Sequence, residues 1–261
     1  MNSLNIQKIN PDAIEPLPTT ALRLAEECRQ PTPQLNVVIE LIECDPVLSA
    51  KVLAVANSPL YGHSRRISAI PRAAILLGLR TLSNLAITLS TKEVFGKKDI
   101  CEYRRRLQEH SLATAVTSRL IAAQVGGMDT STAFLCGLLH DLGKLPFLDH
   151  AHAPYVEKCW ERQSNADPLL EEEKRFGTNH AKIGAQYISK MALPPDVSMA
   201  IADHHTAAAK PYGLADVLTI ANCLSKIWLG DEQNSVIAGI EEFLELESEA
   251  IEHYEALKCN F

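Results

Sequence analysis

The sequence lacks the features of a disulfide-bonded or membrane-spanning protein. Its seven cysteines occur singly, without a CxxC pair, which argues against a disulfide framework and a cysteine zinc site. The most apolar segment, AAILLGLRTLSNLAITL, is interrupted by Arg80 and Asn84 and falls short of the roughly 20 apolar residues of a membrane span. The first 30 residues hold no basic stretch followed by an apolar one, so no secretory signal is expected. We therefore expect a cytoplasmic protein with reduced, mostly buried thiols and no membrane partner.

The chain is also poor in aromatic residues and has no low-complexity tract or internal repeat. Aromatic residues make up 5% of its 261 residues, whereas 46% are hydrophobic and 22% are charged. This balance is typical of a globular protein with a sizeable core, and the length allows one domain or two.

The net charge of −7 is unevenly distributed along the chain. Residues 65–106 carry ten Lys or Arg against three acids, a net +7, and residues 231–261 carry nine acids against one Lys, a net −8. The triplet Arg104–Arg106 allows a nucleic-acid patch as one interpretation. The segment has only two aromatics, Phe95 and Tyr103, and no recognition motif, so we do not expect nucleic acid as a partner. A solvated helix face, turned towards the acidic C-terminus or a partner, is the preferred interpretation.

The pattern of apolar residues predicts an all-α fold. No segment alternates with period two, and no hairpin turn separates such segments. In QLNVVIELIEC the apolar residues recur at helical spacing. Asp45-Pro46 then begins a second helix that ends at Asn57, whose side chain is expected to bond local backbone groups. A further helical period over Ile67–Leu89 is predicted to break at Gly78.

Capping signals predict the helices of the second half. A longer helix is expected from Asp99, as its N-cap, to Val125, before Gly126-Gly127. Thr130 or Ser131 is predicted to cap the next helix. Further helices are expected around residues 149–164, 179–191, 195–204, 214–229 and 235–257.

A basic, glycine-containing stretch at Phe95–Lys98 suggests a boundary between the two halves. We predict an N-terminal subdomain of short helices over 1–96, a histidine-bearing helical subdomain over 97–230 and an acidic C-terminal helix over 231–261. This last helix is expected to pack on the body through an apolar stripe, since such stripes usually belong to the core. The stripe consists of Ile240, Phe243, Leu244 and Ile251.

Six residues of the second half form a candidate metal-ligand set. Imidazole and carboxylate suit zinc, iron and manganese, and helices can converge such side chains on one point. Each histidine alone is better explained as a core or boundary residue. Asp141, at the end of an apolar run, must find a partner or face water. The six residues are His110, His140, Asp141, His180, His204 and His205.

The order of these residues resembles the ligand order of the HD superfamily of metal-dependent phosphohydrolases. The motifs are EHSLATA, GLLHDLGKL, NHAKIGAQYI and AIADHH. The resemblance implies a multi-helix HD-superfamily bundle in which Asp141 bridges two metal ions and the five histidines divide between them. Water is activated for attack on a phosphoester in such enzymes. Asp141 and Lys144 would then be the catalytic residues, with Lys144 holding a phosphate.

The chain departs from this pattern at Asn222, in LTIANCLSKIW, where HD enzymes supply a further Asp. A neutral amide oxygen holds a divalent ion more weakly than a carboxylate. The set Asp141, His180, His204 and His205 remains complete for one ion, so we expect one divalent transition metal (Fe, Mn, Zn or Ni), and Asn222 argues against a second one. The subgroup that cleaves cyclic di-GMP also has Glu after the double histidine and a Gly-Tyr-Pro signature, and both are missing here.

The N-terminal half resembles the HDOD domain, an HD-related output domain of bacterial signalling proteins. The match lies in LPTTALRLAEECRQP, LIECDPVLSAKVLAVANSPLYG and ISAIPRAAILLGLRTLSNLAI and, with the second half, covers about residues 15–230. It implies a regulatory, non-enzymatic module that acts through a protein partner in a signalling pathway. The alternative is a metal-dependent phosphodiesterase acting on a nucleotide or cyclic dinucleotide. The sequence indicates no oligomeric state.

Overall fold

The computed structural model describes residues 9, 19–28, 30–57, 67–96, 102–151, 155–156, 168–190, 193–206, 208–230 and 240–258. Within these ranges the regular structure is helical and contains no strand, which confirms the all-α prediction. The first half of the chain forms α1 (Thr19–Cys28), α2 (Leu35–Glu43), α3 (Pro46–Ala56) and α4 (Ile70–Gly96). The second half forms α5 (Glu102–Val125), α6 (Thr130–Leu139), a 3-10 turn (Leu142–Lys144), α7 (Leu145–His150), α8 (Pro168–Phe176), α9 (His180–Ser189), α10 (Pro195–Asp203), α11 (Leu214–Trp228), a second 3-10 segment (Ile240–Leu246) and α12 (Glu247–Lys258).

The short helices α1–α3 pack against α4. Asp45 Oδ1 accepts a hydrogen bond from the Leu48 amide at 3.0 Å, which caps the start of α3. Asn57 follows the last residue of α3 and joins it to the segment before α4. Its Nδ2 donates to the carbonyls of Leu53 and Ile67 at 2.7 and 2.8 Å, and its Oδ1 accepts from the Ile67 amide at 2.7 Å. The role expected for Asn57 is therefore confirmed.

Helix α4 is interrupted at the predicted glycine. Gly78 has φ 74° and ψ 156°, a conformation that side-chain-bearing residues rarely adopt. Residues Ile70–Ile87 are long and apolar enough for a membrane span by composition alone, with a mean hydropathy of 1.2, and 56% of this window is buried inside the fold. Such burial is typical of a core helix.

Helix α5 is the central element of the second half. It packs against α6, α11 and α12. It ends at Val125 as predicted, and Gly126 follows with φ 74°. The cap of α6 is Asp129, whose side chain accepts from the Thr132 amide at 3.0 Å. The prediction of Thr130 or Ser131 as the cap was wrong because both already have helical positions after the extended Asp129.

The basic triplet is only partly a solvated face. Arg104 is buried and forms an ion pair with Asp149, so the surface interpretation was wrong for this residue. Arg105 pairs on the exposed side with Glu109 at 2.9 Å. Consecutive helical residues point about 100° apart, so one of the three arginines turns towards the body.

The acidic C-terminal segment packs on the body, but through a different stripe from the predicted one. Ile240 and Phe243 are buried, whereas Leu244 is 48% and Ile251 is 38% exposed. The register changes because residues 240–246 form a 3-10 segment with three residues per turn, which shifts the face of the α-helix that follows. The buried residues of α12 are Ala250, Tyr254 and Leu257.

Some sequence predictions lie outside the described residues. These are the Asp99 cap, the Lys97-Lys98 part of the boundary and most of the helix expected over 149–164. Four cysteines can be described, and all four are free thiols. Cys136 and Cys223 are buried, Cys28 is intermediate and Cys44 is exposed, so burial is less general than expected. The division into subdomains stays a prediction.

Candidate metal centre

Five helices converge on one buried point. Helices α6 and α10 contribute their C-terminal ends, α9 contributes its N-terminal end, and α5 and α11 contribute inner turns. His140 is the C-cap of α6, and Asp141 follows it. His180 begins α9, and His204 is the C-cap of α10. The remaining members of the cluster are His110 on α5, His205 after α10 and Asn222 on α11.

Asp141 lies at the centre of the cluster and is 1% exposed. Its Oδ2 is 3.2 Å from Nε2 of His140 and 3.7 Å from Nε2 of His110. Its Oδ1 is 3.4 Å from Nε2 of His180 and 3.7 Å from Nε2 of His204. Each carboxylate oxygen therefore faces a different pair of imidazoles.

His205 joins the second of these pairs. Its Nε2 lies 3.0 Å from Nε2 of His180, and its ring centroid is 4.2 Å from that of His204. Two groups of candidate ligands result, and the ligand atoms within each lie within 4.8 Å of one another. The groups are His110, His140 and Asp141, and His180, His204 and His205.

Two local features bring His180 next to Asp141. Asn179 caps α9 by accepting a hydrogen bond from the Lys182 amide at 2.9 Å, which starts the helix at His180. Gly143, two residues after Asp141, lies against the backbone of α9. A Cβ atom at position 143 would lie 2.0 Å from the carbonyl oxygen of His180, so only glycine allows this close approach.

Backbone carbonyls determine which nitrogen of two histidines faces the carboxylate. Nδ1 of His140 lies 2.7 Å from the Gly137 carbonyl, and Nδ1 of His204 lies 2.6 Å from the Ile201 carbonyl. A carbonyl oxygen only accepts, so Nδ1 is the protonated nitrogen in both rings. In the neutral tautomer, Nε2 then presents a lone pair towards Asp141, which is the arrangement of a metal-ligating imidazole.

Burial keeps several of these imidazoles neutral. It lowers the pKa of His204 to about 3, and the nearby carboxylate of Asp141 offsets this only in part. Burial, followed by the charge of His140, lowers the pKa of His110 well below its usual range, and burial likewise lowers the pKa of His205. Burial alone would raise the pKa of Asp141, but the adjacent His140 and the ammonium of Lys144 outweigh it and lower that pKa. Neutral imidazoles and an ionised carboxylate are the forms that bind a metal.

Within the part of the chain that the structure describes, three buried atoms at the centre have no hydrogen-bond partner. They are Nε2 of His140, Nε2 of His204 and Oδ1 of Asp141. Buried polar atoms are almost always satisfied, and the exceptions often mark a missing ion or water. Lone pairs of neutral imidazoles and of a carboxylate repel one another unless a cation lies between them. The residues present therefore fit a divalent transition-metal ion.

The two sides of Asp141 differ in their internal partners. On the Oδ2 side, the ammonium of Lys144 lies 2.6 Å from that oxygen. Oδ1 of Asn222 lies 3.0 Å from Nε2 of His110, so His110 has an amide partner there. On the Oδ1 side, neither Oδ1 nor Nε2 of His204 has a partner among the described residues, and on the Oδ2 side only Nε2 of His140 lacks one.

Glu172 is a member of the site that sequence reasoning missed. It is buried, and its two oxygens lie 2.9 and 2.8 Å from Nδ1 of His180. It also accepts from the His180 amide at 2.7 Å and from the Tyr155 hydroxyl at 3.0 Å. In the sequence it lies in the run EEEK, a pattern that is typical of a solvated helix face. Its separation of eight residues from His180 offers no periodic signal.

The fold and the site together define an all-α protein with a buried His/Asp cluster at converging helices. Residues 14–207 match the HDOD domain, and the chain belongs to the HDOD domain family. A crystal structure of an HDOD domain protein with unknown function from Geobacter sulfurreducens superposes with a TM-score of 0.73. It is 26% identical, and the match covers 96% of this chain and 95% of that one.

Curated relatives are longer than this chain. An uncharacterized protein of Treponema pallidum is 29% identical over 203 residues, which are 77% of this chain and 39% of that protein. Ribonuclease Y of Opitutus terrae is 28% identical over 149 residues, which are 57% of this chain and 23% of that enzyme. The matched region thus spans about two fifths of the first relative and about a quarter of the second.

Proposed function

We propose that this protein is a regulatory HDOD module that holds one divalent transition metal and does not cleave phosphoesters. The observation that carries the proposal is the difference between the two oxygens of Asp141. Among the described residues Oδ1 has no hydrogen-bond partner and faces the unpartnered Nε2 of His204. Oδ2 faces the unpartnered Nε2 of His140 but also has the ammonium of Lys144 at 2.6 Å.

The ion would be held by Asp141, His180, His204 and His205. Imidazole nitrogen and carboxylate oxygen together suit Fe²⁺, Mn²⁺, Zn²⁺ and Ni²⁺. When bound, such an ion supplies Lewis-acid character and a strong local positive charge. The surrounding groups orient the ligands: Glu172 holds the ring of His180, and the Ile201 carbonyl holds that of His204.

Asn222 supports the assignment as a module without hydrolase activity. Its neutral amide lies beside His110 at 3.0 Å, so the His110 side holds no carboxylate besides Asp141 among the described residues. Activation of a phosphoester by two metals needs both ions on opposite sides of the reacting group. A site that holds one ion lacks that arrangement.

An ion at this point would tie together three chain segments. Asp141 follows α6, His180 begins α9, and His204 and His205 follow α10. Binding to the folded state alone raises stability by linkage. Metal binding would thereby make the packing of these helices more rigid. A protein partner in a signalling pathway would bind the surface that these helices form.

The test combines metal content with turnover. The protein is purified without chelator, its metal is quantified, and hydrolysis of bis(p-nitrophenyl) phosphate and of cyclic dinucleotides is measured with Mn²⁺ or Fe²⁺. We expect a single bound ion, a higher melting temperature with the ion and no turnover. The Asp141→Asn variant is expected to lose both the ion and the thermal shift. Turnover that disappears in Asp141→Ala, with the fold intact, would show instead a metal-dependent phosphodiesterase, with Asp141 and Lys144 in catalytic roles.

A further inference from the structure

We infer that Lys144 acts as an internal cation that takes the place of a second metal ion beside Asp141. The inference rests on the proposed one-ion site and assigns Lys144 a role other than phosphate binding. It concerns metal stoichiometry, which is measured without any substrate.

The ammonium of Lys144 lies against the carboxylate oxygen that a second ion would need. Nζ of Lys144 lies 2.6 Å from Oδ2 of Asp141, the oxygen that faces His110 and His140 at 3.7 and 3.2 Å. This is the oxygen that a second ion shared with these histidines would need. A single oxygen that already has an ammonium at hydrogen-bond distance offers a poor ligand to a second cation.

The balance of charges around Asp141 also disfavours a second ion. Asp141 is 1% exposed, and a buried carboxylate needs a positive partner. One ammonium balances its single negative charge. A divalent ion on the Oδ1 side already brings an excess of positive charge, which a second ion would double without any new carboxylate. Glu172, behind His180, adds negative charge on the Oδ1 side, which favours the ion there.

The neutral side chain of Asn222 also disfavours a second ion. Its amide oxygen lies 3.0 Å from Nε2 of His110, so this nitrogen has a neutral partner in the fold. The substitution Asn222→Asp would supply the negative charge that a second ion needs. Lys144 and Asn222 therefore act together. Lys144 occupies Oδ2 of Asp141, and the neutral Asn222 provides no negative charge for a second ion.

The experiment compares two double variants that differ in the charge at position 144. Metal-free wild type, Lys144→Met/Asn222→Asp and Lys144→Arg/Asn222→Asp are titrated with Mn²⁺. Stoichiometry is measured by calorimetry and elemental analysis. Electron paramagnetic resonance detects the magnetic coupling of two Mn²⁺ ions that share a carboxylate. Circular dichroism checks the fold, and Lys144→Gln/Asn222→Asp serves as a second uncharged variant.

We expect one Mn²⁺ ion in wild type, one in the arginine variant and two coupled ions in the uncharged variants. Two ions in wild type, or one ion in both folded uncharged variants, would overturn the role of Lys144 while leaving metal binding intact. Two ions in the arginine variant would show that Asn222 alone sets the stoichiometry, and would also overturn it. No ion in wild type would remove the proposed one-ion site itself, and the inference with it.

Discussion

Glu172 contacts Nδ1 of His180 with both carboxylate oxygens, at 2.9 and 2.8 Å. The contact fixes the orientation of the ring, because the same carboxylate also accepts the His180 amide. Nε2 of His180 is thereby directed towards Oδ1 of Asp141, 3.4 Å away. A carboxylate behind a histidine also makes its other nitrogen a stronger ligand.

Replacing this carboxylate is expected to weaken metal binding. In Glu172→Gln the ring of His180 loses its charged partner, and the affinity for Mn²⁺ should fall by about 10-fold to 100-fold. The measurement is calorimetric titration of the metal-free protein.

The neighbouring residue provides a matched control for this change. Glu171 pairs with Arg175 at 2.5 Å within α8, so Glu171→Gln should leave the affinity unchanged. Equal losses in the two variants would rule out a specific role for Glu172.

A methyl group at Gly143 is expected to disrupt the packing of the site. The Cβ of Gly143→Ala would lie 2.0 Å from the His180 carbonyl oxygen and 2.7 Å from the Gly184 amide nitrogen. Since both are backbone atoms, the helix must move, and we expect a loss of about 3 kcal/mol or more in the free energy of unfolding. Urea unfolding measures the change.

Gly213→Ala is the control for Gly143→Ala, because its Cβ would lie 3.5 Å from the nearest atom, Asp216 Oδ2. This substitution should have a small effect on the free energy of unfolding. The steric explanation fails if Gly143→Ala is as stable as Gly213→Ala.

Acidification is expected to destabilise the metal-free protein through His204. Burial lowers the pKa of this residue from 6.5 to about 3. Between these values the unfolded chain binds a proton that the folded chain does not. The free energy of unfolding therefore falls as the pH falls through this window, and the loss is absent above it. At about pH 5 the expected loss from His204 is about 2 kcal/mol.

The pH effect is measured by urea unfolding in chelator at about pH 7.5 and about pH 5. His204→Gln removes the titrating group, so this variant should lose about 2 kcal/mol less than wild type over the same interval. The same loss in both proteins would contradict the assignment to His204.

Removing the Asn57 side chain is expected to destabilise the N-terminal helices. Asn57 makes three hydrogen bonds to the backbone of Leu53 and Ile67, and Ile67 is buried. Asn57→Ala should lower the free energy of unfolding by about 1–3 kcal/mol, since the Ile67 backbone groups lose their partner. The exposed Asn36 on α2 is the control, and Asn36→Ala should change stability by less than about 0.5 kcal/mol. A similar effect of both substitutions would argue against the bridging role.

Much of the helical architecture was predictable because its causes are local. The end of α3 just before Asn57, the break at Gly78 and the end of α5 at Val125 follow from side-chain capping and glycine conformation. The C-terminal stripe was wrong at Leu244 and Ile251, because a 3-10 segment changes the period without a clear signal in the sequence.

The sequence by itself determined the helical class and the chemical types of the candidate ligands, through short-range capping, apolar periodicity and the order of motifs. Only the tertiary structure decided which oxygen of Asp141 faces which histidines, that Lys144 lies against Oδ2, and that Glu172 is buried behind His180. These relationships depend on contacts between helices far apart in the chain. Whether a charge is buried or solvated is a property of packing, and no local pattern encodes it.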